Sequence, residues 1–414
     1  MRLFVYKEDM MAGELFTSDA GVCFKYSQDY RGPTAYPLSL SLPVRAEAFP
    51  QSAALPFFEG LLPEGEQRRE LSNLLHVSPT STMKLLRALA GECVGNLVIL
   101  DEEMEIADIV RESAYVPLDS RELEALLRPQ STERMRFIAN RRLSLAGAQP
   151  KIGLYYGQGE WFAAKGLAST THIVKPASLF DPSLLINEFF AMRLAKGCDI
   201  EVPKTDIIRC KDHYGFVVER FDRKRLAEKI VRLGQEDFCQ ALSVMPDAKY
   251  ENDGGPGFKQ LFATALHHTS RPLQNIQRLL RLVLFNYLTG NCDAHAKNFS
   301  LLQDPDSGLL SLAPAYDLVC TTFYGDRLSR SMAMRIGGHS RIDSISTEDF
   351  ALFSKETGIS LEAIAAEMRS LCDSITEQLD RTVEAVGQEA EGFLPVAKQL
   401  REHHLRELGQ RIML

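Results

Sequence analysis

The stretch GNCDAHAKNFSLL, residues 290–302, follows the apolar helical run LLRLVLFNYL and places four polar or charged side chains within six positions. Asp293 and Asn298 are five residues apart, so a loop that leaves a helix can direct both side chains into one cleft. Asp317 follows further along, in LAPAYDL. In phosphoryl transfer one carboxylate accepts the proton of the hydroxyl nucleophile, while an asparagine oxygen and a second carboxylate hold Mg²⁺ against the phosphates. The stretch therefore predicts a phosphotransferase site with Asp293 as the base and Asn298 and Asp317 as metal ligands.

The upstream sequence contains the other parts that this chemistry needs. Lys175 lies in HIVKP, on a predicted strand, and Glu188 lies in INEFF, in the helix that follows. This is the order in which a strand lysine contacts the α- and β-phosphates while a helix glutamate fixes that lysine. Further upstream, SLAGAQPK offers small residues whose backbone can approach phosphate oxygens. The order of these segments is that of a protein kinase.

Each of these residues has a plainer interpretation when it is taken alone. Lys175 could be a surface lysine that packs its stem on apolar neighbours, Asp293 a turn residue, and Glu188 a helix-surface residue in an i,i+4 pair. His295 is interpreted as a structural hydrogen-bonding group, because no second histidine lies at metal-ligand spacing. The basic run RKR, residues 223–225, is interpreted as a solvated turn.

Composition limits the classes of protein that this chain can represent. Its 414 residues are 45% hydrophobic and 25% charged, which is typical of a globular protein with two or three domains. The formal net charge of -8 argues against a surface that binds polyphosphate as a whole. Eight scattered cysteines favour reduced thiols, and no apolar stretch approaches the ~20 residues that span a bilayer. We therefore expect a cytoplasmic protein with no membrane partner.

The hydrophobic periodicity changes along the chain and predicts three domains. Residues 1–105 combine short aromatic or β-branched strands with helical spacing between residues 56 and 89, which indicates a small α+β unit. Residues 106–222 are β-rich apart from the helix LLINEFFAMRLAKG, and residues 223–414 are mainly helical. A β-rich lobe followed by a helical lobe predicts the α+β class and a two-lobed catalytic module.

Taken together, the segments LSLAGAQPK, HIVKP, NEFFAMRLA, VVERFDR, GNCDAHAKNFSLL and LAPAYDL resemble the HipA family. These proteins are bacterial serine/threonine kinases, the toxins of HipBA toxin-antitoxin modules. FFEGLLPEGEQRREL and LLRALAGECVGN are similar to the accessory N-terminal subdomain of that family. The resemblance implies a two-lobed protein-kinase-like fold with a β-rich N-lobe, an all-α C-lobe and a small α+β N-terminal subdomain. It also implies ATP and Mg²⁺ as cofactors.

Carried over by position, the resemblance makes Asp293 the catalytic aspartate, with Asn298 and Asp317 on Mg²⁺. Lys175 would contact the ATP phosphates with support from Glu188. The loop residues implied to cradle the phosphates are Ala146, Gly147, Ala148 and Gln149.

The resemblance also implies two features that the residue types alone do not indicate. Glu219 and Phe221 would lie at the hinge that receives adenine through main-chain contacts. Ser144 would be autophosphorylated, which expels the phosphate-binding loop and inactivates the enzyme. Pro150 departs from relatives that carry an acidic residue there, and it removes one backbone donor from the loop.

The partners implied by the resemblance are a HipB-like helix-turn-helix antitoxin, and operator DNA mainly through that antitoxin. The implied substrates are aminoacyl-tRNA synthetases, glutamyl-tRNA synthetase being the best-known case. Two other interpretations stay open. A small-molecule kinase of the aminoglycoside phosphotransferase type also uses a catalytic base beside metal ligands. In that class, however, the catalytic loop resembles HGDLHPGN and the accessory N-terminal unit is absent. A catalytically silent HipA-like repressor partner is the other, and Pro150 is compatible with it.

Overall fold

A computed structural model describes residues 1–32, 35–178, 181–226 and 229–411. The strands are β1 (Arg2–Lys7), β2 (Met10–Ser18), β3 (Gly21–Tyr26), β4 (Leu97–Asp101), β5 (Ala114–Pro117), β6 (Ile152–Gly157), β7 (Glu160–Lys165), β8 (His172–Pro176), β9 (Thr205–Cys210), β10 (His213–Glu219), β11 (Arg223–Leu226), β12 (Lys229–Arg232), β13 (Gly234–Asp237), β14 (Ser300–Gln303), β15 (Leu310–Leu312), β16 (Ser331–Ile336) and β17 (His339–Arg341). The helices are α1 (Gln51–Glu59), α2 (Gly65–Leu74), α3 (Thr82–Leu89), α4 (Ile106–Arg111), α5 (Ser120–Leu127), α6 (Thr132–Arg141), α7 (Ser183–Gly197), α8 (Phe238–Ala241), α9 (Phe258–His268), α10 (Pro272–Thr289), α11 (Thr347–Thr357), α12 (Leu361–Glu389) and α13 (Leu394–Arg411). This mixture confirms the predicted α+β class.

The chain groups into two compact units. The first is built from Met1–Leu179, Ile207–Asp247 and Leu302–Gly308, and the second from Phe180–Asp206, Ala248–Leu301 and Leu309–Leu414. This grouping by spatial contact is a different partition from the three predicted segments at 1–105, 106–222 and 223–414. That three-domain division stays a prediction.

The first unit begins with an antiparallel four-stranded sheet in the order β3-β2-β1-β4. Successive side chains of a strand point to opposite faces, so Leu3 and Val5 of β1 are buried together on one face. Helices α1 and α3 pack onto this sheet, and the Phe24 ring on β3 lies 5.3 Å from the Phe58 ring on α1. The strands and helices predicted for residues 1–105 are confirmed.

A six-stranded sheet in the order β5-β7-β6-β8-β10-β9 forms the second part of this unit. The predicted strands in GLYYG, EWFAAK, HIVKP, DIIRC and YGFVVE are all present. The segment LSLAG does not continue β6 but forms the loop that precedes it. Lys175 therefore lies on a central strand, β8, which pairs with β6 on one side and β10 on the other.

Helices α5 and α6 were not predicted from the sequence. A capping signal for α5 is nevertheless present in DSRE, because Asp119 accepts a hydrogen bond from the Glu122 backbone N–H at 2.8 Å and its own N–H donates to the Glu122 carboxylate at 2.9 Å. This reciprocal pair is a capping box, which satisfies two donors at the helix N-terminus. Reading that signal would have identified this helix within a region interpreted as β-rich.

The interpretation of RKR as a solvated turn is wrong, because all three residues lie on β11 and the first of them is buried. Arg223 begins β11 and is 8% exposed, whereas the next two residues are exposed. The three strands β11, β12 and β13 follow one another here, so the mainly helical region begins at Phe238 rather than at residue 223. The sequence interpretation failed because a buried arginine looks like an exposed one until its carboxylate partners are known.

Arg223 belongs to a buried network of four charged side chains. Asp222 accepts hydrogen bonds from Arg220 at 2.7 Å and from Arg223 at 2.9 Å. Both guanidinium groups also approach Glu92, at 3.4 and 3.3 Å, and Asp222 receives the backbone N–H of Gly95 at 2.8 Å. The network joins the chain near residue 92 to the segment that follows β10.

Burial alone would raise the pKa of the two carboxyl groups in this network. For Glu92 the charges of Arg232, Arg220 and Arg223 outweigh burial, and for Asp222 those of Arg220 and Arg223 do so, hence both pKa values lie below their usual range. Both carboxylates therefore stay ionised, as a buried ion network requires.

The second unit is mainly helical. Helices α7, α10, α12 and α13 pack on one another, and α9 packs on α10 and α11. Helix α10 begins with Pro272 at its first position, where a missing N–H costs no hydrogen bond. The helices predicted for residues 258–411 are confirmed, with short strands between them. Across the described ranges, no helix is both long and apolar enough to cross a membrane.

Glu236 on β13 is a buried carboxyl in the first unit. It accepts hydrogen bonds from the Ser39 hydroxyl at 2.5 Å and from the Leu40 backbone N–H at 3.1 Å. Burial raises the pKa of Glu236 from 4.5 to about 7, against the effect of these two donors. The folded state therefore holds a proton there at a pH at which the unfolded chain has released it.

We expect Glu236→Gln to change the pH dependence of stability. A raised carboxyl pKa contributes stability below about pH 4.5 that is lost as pH rises to about 7. The wild-type protein should lose free energy of unfolding, relative to the variant, across this window in urea titrations. The exposed substitution Glu47→Gln is the matched control and should behave as wild type. Parallel curves for wild type and Glu236→Gln would contradict the assignment.

Candidate active site

The C-terminus of helix α10 positions the loop that carries Asp293. Gly290 ends the helix with φ 75°, and a Cβ there would lie 2.1 Å from the Thr322 hydroxyl, so glycine is required. The Gly290 carbonyl accepts hydrogen bonds from the Thr321 hydroxyl at 3.0 Å and from the Thr322 N–H at 3.1 Å. The Thr321 hydroxyl in turn accepts the N–H of Cys292 at 2.8 Å. The first residues of the loop are thereby fixed to the segment at 321–322.

Helix α13 supports the same helix end. The Arg411 guanidinium, which is 7% exposed, donates to the carbonyls of Tyr287 at 2.7 Å and Leu288 at 3.1 Å. These carbonyls belong to the last turn of α10, where a cation is favourable because the helix dipole is negative. Glu407 of α13 is hydrogen bonded to this arginine. The end of α10 is therefore held by side chains as well as by its own turn.

Asp293 differs from its neighbours in exposure. Within residues 291–297, all of which the structure describes, its side chain is exposed and the other six are buried. The Asp293 backbone N–H donates to the Asn291 side chain at 3.2 Å, and Asn291 is bonded to Asn286 of α10 at 3.0 Å. The fold thus presents one carboxylate to solvent from an otherwise buried loop.

Asn298 faces back toward Asp293. Its side-chain NH₂ donates to the Asp293 backbone carbonyl at 3.0 Å, which directs the amide oxygen away from that carbonyl. Tyr316 donates to the Lys297 carbonyl at 2.7 Å and so links the segment of Asp317 to that of Asn298. The structure therefore brings Asp293 and Asn298 together and joins their loop to the residue before Asp317.

The donor set of Asn298 and Asp317 fits Mg²⁺. Both supply hard oxygen ligands, and Mg²⁺ is commonly held by one or two protein ligands together with substrate phosphates. In the described part of the chain no group of three histidine, cysteine or acidic side chains could hold a metal ion by itself. A magnesium ion here would complete its coordination with phosphate oxygens or water. Asp317 has φ 53°, a left-handed conformation that is uncommon outside glycine and that clusters at functional sites.

The proposed phosphate loop at residues 144–151 is held in a defined conformation within the first unit. Ser144 is fully buried, and its hydroxyl donates to the Leu61 carbonyl at 2.6 Å. Gly147 has φ 103°, and its carbonyl accepts the N–H of Glu64 at 3.0 Å. The Lys151 ammonium group donates to the Ala146 carbonyl at 2.8 Å. The loop is therefore closed by a hydrogen bond from one of its own cationic side chains.

Gln67 on α2 fixes the end of this loop. Its side chain accepts the Lys151 backbone N–H at 3.2 Å and donates to the Lys151 carbonyl at 3.3 Å. Gln67 is 1% exposed, so these bonds do not compete with water. The residues between 61 and 67 therefore hold both ends of the loop. The sequence analysis did not identify this role, because a glutamine on an amphipathic helix carries no signal of what it will face.

Lys175 and Glu188 lie on the elements that the sequence predicted. Lys175 is on β8, is 5% exposed and has its ammonium 5.9 Å from the centre of the Phe216 ring. Glu188 is on α7 and is 3% exposed. The two residues belong to different compact units. Their pairing stays a prediction.

Glu219 and Phe221, the residues of the predicted hinge, lie at the end of β10 and two residues beyond it. Glu219 is the last residue of β10, opposite His172 of β8. Both Glu219 and Phe221 are half-buried, while Arg220 between them is buried and donates its backbone N–H to the Thr171 carbonyl at 2.8 Å. Their contact with adenine stays a prediction.

Comparison with known proteins identifies both halves of the chain. Residues 3–100 match the family model of the HipA N-terminal domain, and residues 143–383 match that of the HipA-like C-terminal domain. A putative kinase, Y4mE, of Sinorhizobium fredii is 38% identical over 391 residues, which is 92% of each chain. The serine/threonine-protein kinase toxin HipA of Shewanella oneidensis is 29% identical and covers 92% of this chain and 89% of its own.

A solved structure gives the same result. In the complex of Shewanella oneidensis HipA, HipB and operator DNA, one chain superposes with a TM-score of 0.83 at 29% identity, covering 98% of this chain and 97% of that chain. This match confirms the predicted two-lobed kinase-like fold class with its N-terminal subdomain. Because a family model spans more than half of the sequence and a relative above 30% identity spans nearly all of it, the chain belongs to the HipA family.

Proposed function

We propose that this chain is an ATP- and Mg²⁺-dependent serine/threonine protein kinase that acts as the toxin of a bacterial toxin-antitoxin module. The observation that carries the proposal is the pair Asp293 and Asn298. An exposed carboxylate projects from a buried loop, and the asparagine five residues later is bonded to the same residue's carbonyl at 3.0 Å. A base and a metal ligand held this close are what phosphoryl transfer to a hydroxyl requires.

In the proposed reaction Asp293 accepts the proton of the substrate hydroxyl as that oxygen bonds to the γ-phosphorus of ATP, while the bond from this phosphorus to the β–γ bridging oxygen breaks and ADP leaves. Asn298 and Asp317 would hold Mg²⁺, which would supply positive charge against the phosphates of ATP. Lys175 contacts the phosphates, and Glu188 fixes that lysine. The main-chain groups near Glu219 and Phe221 receive adenine.

The phosphate-binding role of the loop is supported by its backbone. Gly147 has a positive φ angle, and positive-φ residues occur in the concave backbone turns that bind anions. Lys151 already lies against the loop carbonyl of Ala146, so a cation is present where phosphate charge would arrive. Pro150 removes one donor, which leaves the N–H groups of residues 146–149 for this role.

The proposed partners follow from the relatives. A HipB-like helix-turn-helix antitoxin would bind the chain, and operator DNA would be contacted mainly through it, as the Shewanella oneidensis complex contains all three components. The proposed substrate is an aminoacyl-tRNA synthetase, whose phosphorylation would inhibit translation. A cytoplasmic location goes with this proposal, because the substrate and the operator are both found there.

Self-inactivation at Ser144 is proposed on the basis of its burial. A phosphate of roughly two negative charges cannot replace a fully buried hydroxyl that donates to the Leu61 carbonyl, because it would be removed from solvent and placed against an acceptor. The loop must therefore leave its packed position before Ser144 can be phosphorylated, and it cannot return afterwards. A displaced loop no longer presents its backbone to ATP.

We expect Asp293→Asn to lower the rate of phosphate incorporation roughly 10²- to 10⁴-fold, because that is what a positioned base typically contributes. Intact mass is measured before and after incubation with Mg²⁺ and ATP. The exposed substitution Asp373→Asn on α12 is the matched control and should keep wild-type incorporation. Wild-type incorporation by Asp293→Asn would refute the base assignment. If no protein gains mass and the starting material carries no phosphate, a small-molecule kinase or a silent repressor partner becomes the better interpretation.

Asp317→Ala should weaken nucleotide binding only when Mg²⁺ is present, because the carboxylate acts through the metal. Calorimetric titration with ATP, with and without Mg²⁺, measures this difference, and Asp373→Ala serves as the control. An unchanged affinity in the presence of Mg²⁺ would rule out Asp317 as a ligand.

Ser144→Ala should resist the loss of activity that follows preincubation with ATP, because it lacks the acceptor hydroxyl. The time course of activity is compared with wild type after each is normalised to its own initial rate, and phosphopeptides are mapped in parallel. An equal decline in both proteins, or a phosphate mapped elsewhere, would contradict the switch.

A further inference from the structure

Tyr250 contacts the proposed base directly, although no sequence motif singles it out. Its hydroxyl donates a hydrogen bond to Oδ1 of Asp293 at 2.7 Å. Hydrogen bonds to an ionised group are shorter and stronger than neutral ones. Because Asp293 is exposed, its side chain would otherwise be free to rotate among the orientations that solvent allows.

The segment that carries Tyr250 is held by β16, which also contacts the Asp293 loop because the Ala333 N–H donates to the Cys292 carbonyl at 2.8 Å. The Tyr250 carbonyl accepts the N–H groups of Asp253 at 3.0 Å and Gly255 at 2.9 Å, which closes a tight turn. Arg335 of β16 fixes this turn, since its backbone N–H donates to Glu251 at 2.6 Å and its guanidinium donates to Asn252 at 2.8 Å. The hydroxyl of Tyr250 is therefore placed by β16, and Asp293 is placed by α10.

The ring of Tyr250 has a second contact with the Asp293 loop. It meets the His295 ring edge-on, with centroids 5.3 Å apart and planes at 88°. His295 is 6% exposed, and its backbone N–H donates to the Asp293 carbonyl at 2.8 Å. The tyrosine thus packs on a rigid part of the loop while its hydroxyl reaches the carboxylate, so both ends of the side chain are constrained.

We infer that Tyr250 is a positioning residue that fixes the Asp293 carboxylate, so that Oδ1 is occupied by the phenol and Oδ2 faces the acceptor hydroxyl of the substrate. The inference rests on the proposed kinase function. An ionised carboxylate accepts hydrogen bonds at both oxygens, so one bond to Tyr250 leaves the second oxygen to receive a proton. Fixing the orientation in advance lowers the barrier, because the reacting groups need less reorganisation.

The test uses Tyr250→Phe, which removes the hydroxyl and keeps the ring against His295. The first-order rate of phosphate incorporation at saturating Mg²⁺ and ATP should fall about 10-fold, as expected for the loss of one hydrogen bond to a charged group. The ATP concentration that gives half the maximal rate should not change, because Tyr250 acts on the base and not on the nucleotide. Tyr36→Phe, which removes the hydroxyl that donates to the Asp306 carbonyl at 2.8 Å, is the matched control and should keep the wild-type rate.

A double substitution separates positioning from general damage to the fold. If Tyr250 acts through Asp293, adding Tyr250→Phe to Asp293→Asn should cause no further loss of rate, because coupled residues are not additive. A purely structural role would give the same 10-fold loss in both backgrounds. Two results would overturn the inference: a wild-type rate for Tyr250→Phe, or the same 10-fold decrease in rate when Tyr250→Phe is added to Asp293→Asn.

Crystal structures of the wild type and of Tyr250→Phe make failure of the inference distinguishable from failure of the kinase proposal. The wild type should show one orientation of the Asp293 carboxylate with Tyr250 on Oδ1, and the variant should show a different or mixed orientation. If the wild type incorporates no phosphate and this difference is present, the kinase proposal fails and positioning stands. An identical Asp293 orientation in both crystals would overturn positioning whatever the activity.

Discussion

The left-handed turn at Gly290 is the constraint on which the candidate site depends. A helix that continued past Thr289 would carry Asp293 around its own axis, and a side chain at residue 290 would collide with Thr322. Because the turn is left-handed, the chain leaves α10 toward residues 321–322, and hydrogen bonds there fix Cys292. Arg411 of α13 donates a hydrogen bond to a carbonyl of the same helix end. A remote C-terminal helix is thus part of what holds the proposed base in place.

A different kind of constraint organises the first unit. Glu92, Arg220, Asp222 and Arg223 are all buried, and each opposite charge is needed to offset the cost of removing the others from water. Removal of one member would leave an unpaired charge in the interior, which typically costs about 3–5 kcal/mol. Such a network tolerates few alternative arrangements. It therefore fixes the chain near residue 92 to the segment that follows the proposed hinge.

The same contacts that hold the proposed phosphate loop also conceal its proposed switch. The Leu61 carbonyl, the Glu64 N–H and Gln67 keep residues 144–151 packed, which gives the loop a defined backbone for phosphates. These bonds bury Ser144 completely. Under the proposed function, a loop that must stay ordered to bind ATP and must leave to be modified would have two exclusive states. Its packing against residues 61–67 would then set the equilibrium between an active and an inactive kinase.

Much of this protein followed from local sequence, and the reason is the range over which each signal acts. Period-two and period-3.6 patterns identified the strands around Lys175 and the helix of Glu188, since burial of one face is decided by neighbours along the chain. The five-residue spacing of Asp293 and Asn298 predicted their proximity for the same reason. Asp119 and Glu122 also carry a local signal, the capping box of α5.

Arg223 and Tyr250 could not be assigned from local signals. Glu92, one of the two carboxylate partners of Arg223, lies 131 residues away in sequence, and Asp293, the partner of Tyr250, lies 43 residues away. The sequence by itself therefore determined most of the elements, the family resemblance and the residue types for phosphoryl transfer. Only the tertiary structure decided which arginine is buried and which hydroxyl reaches the exposed carboxylate, because those choices depend on charges and donors brought together by folding.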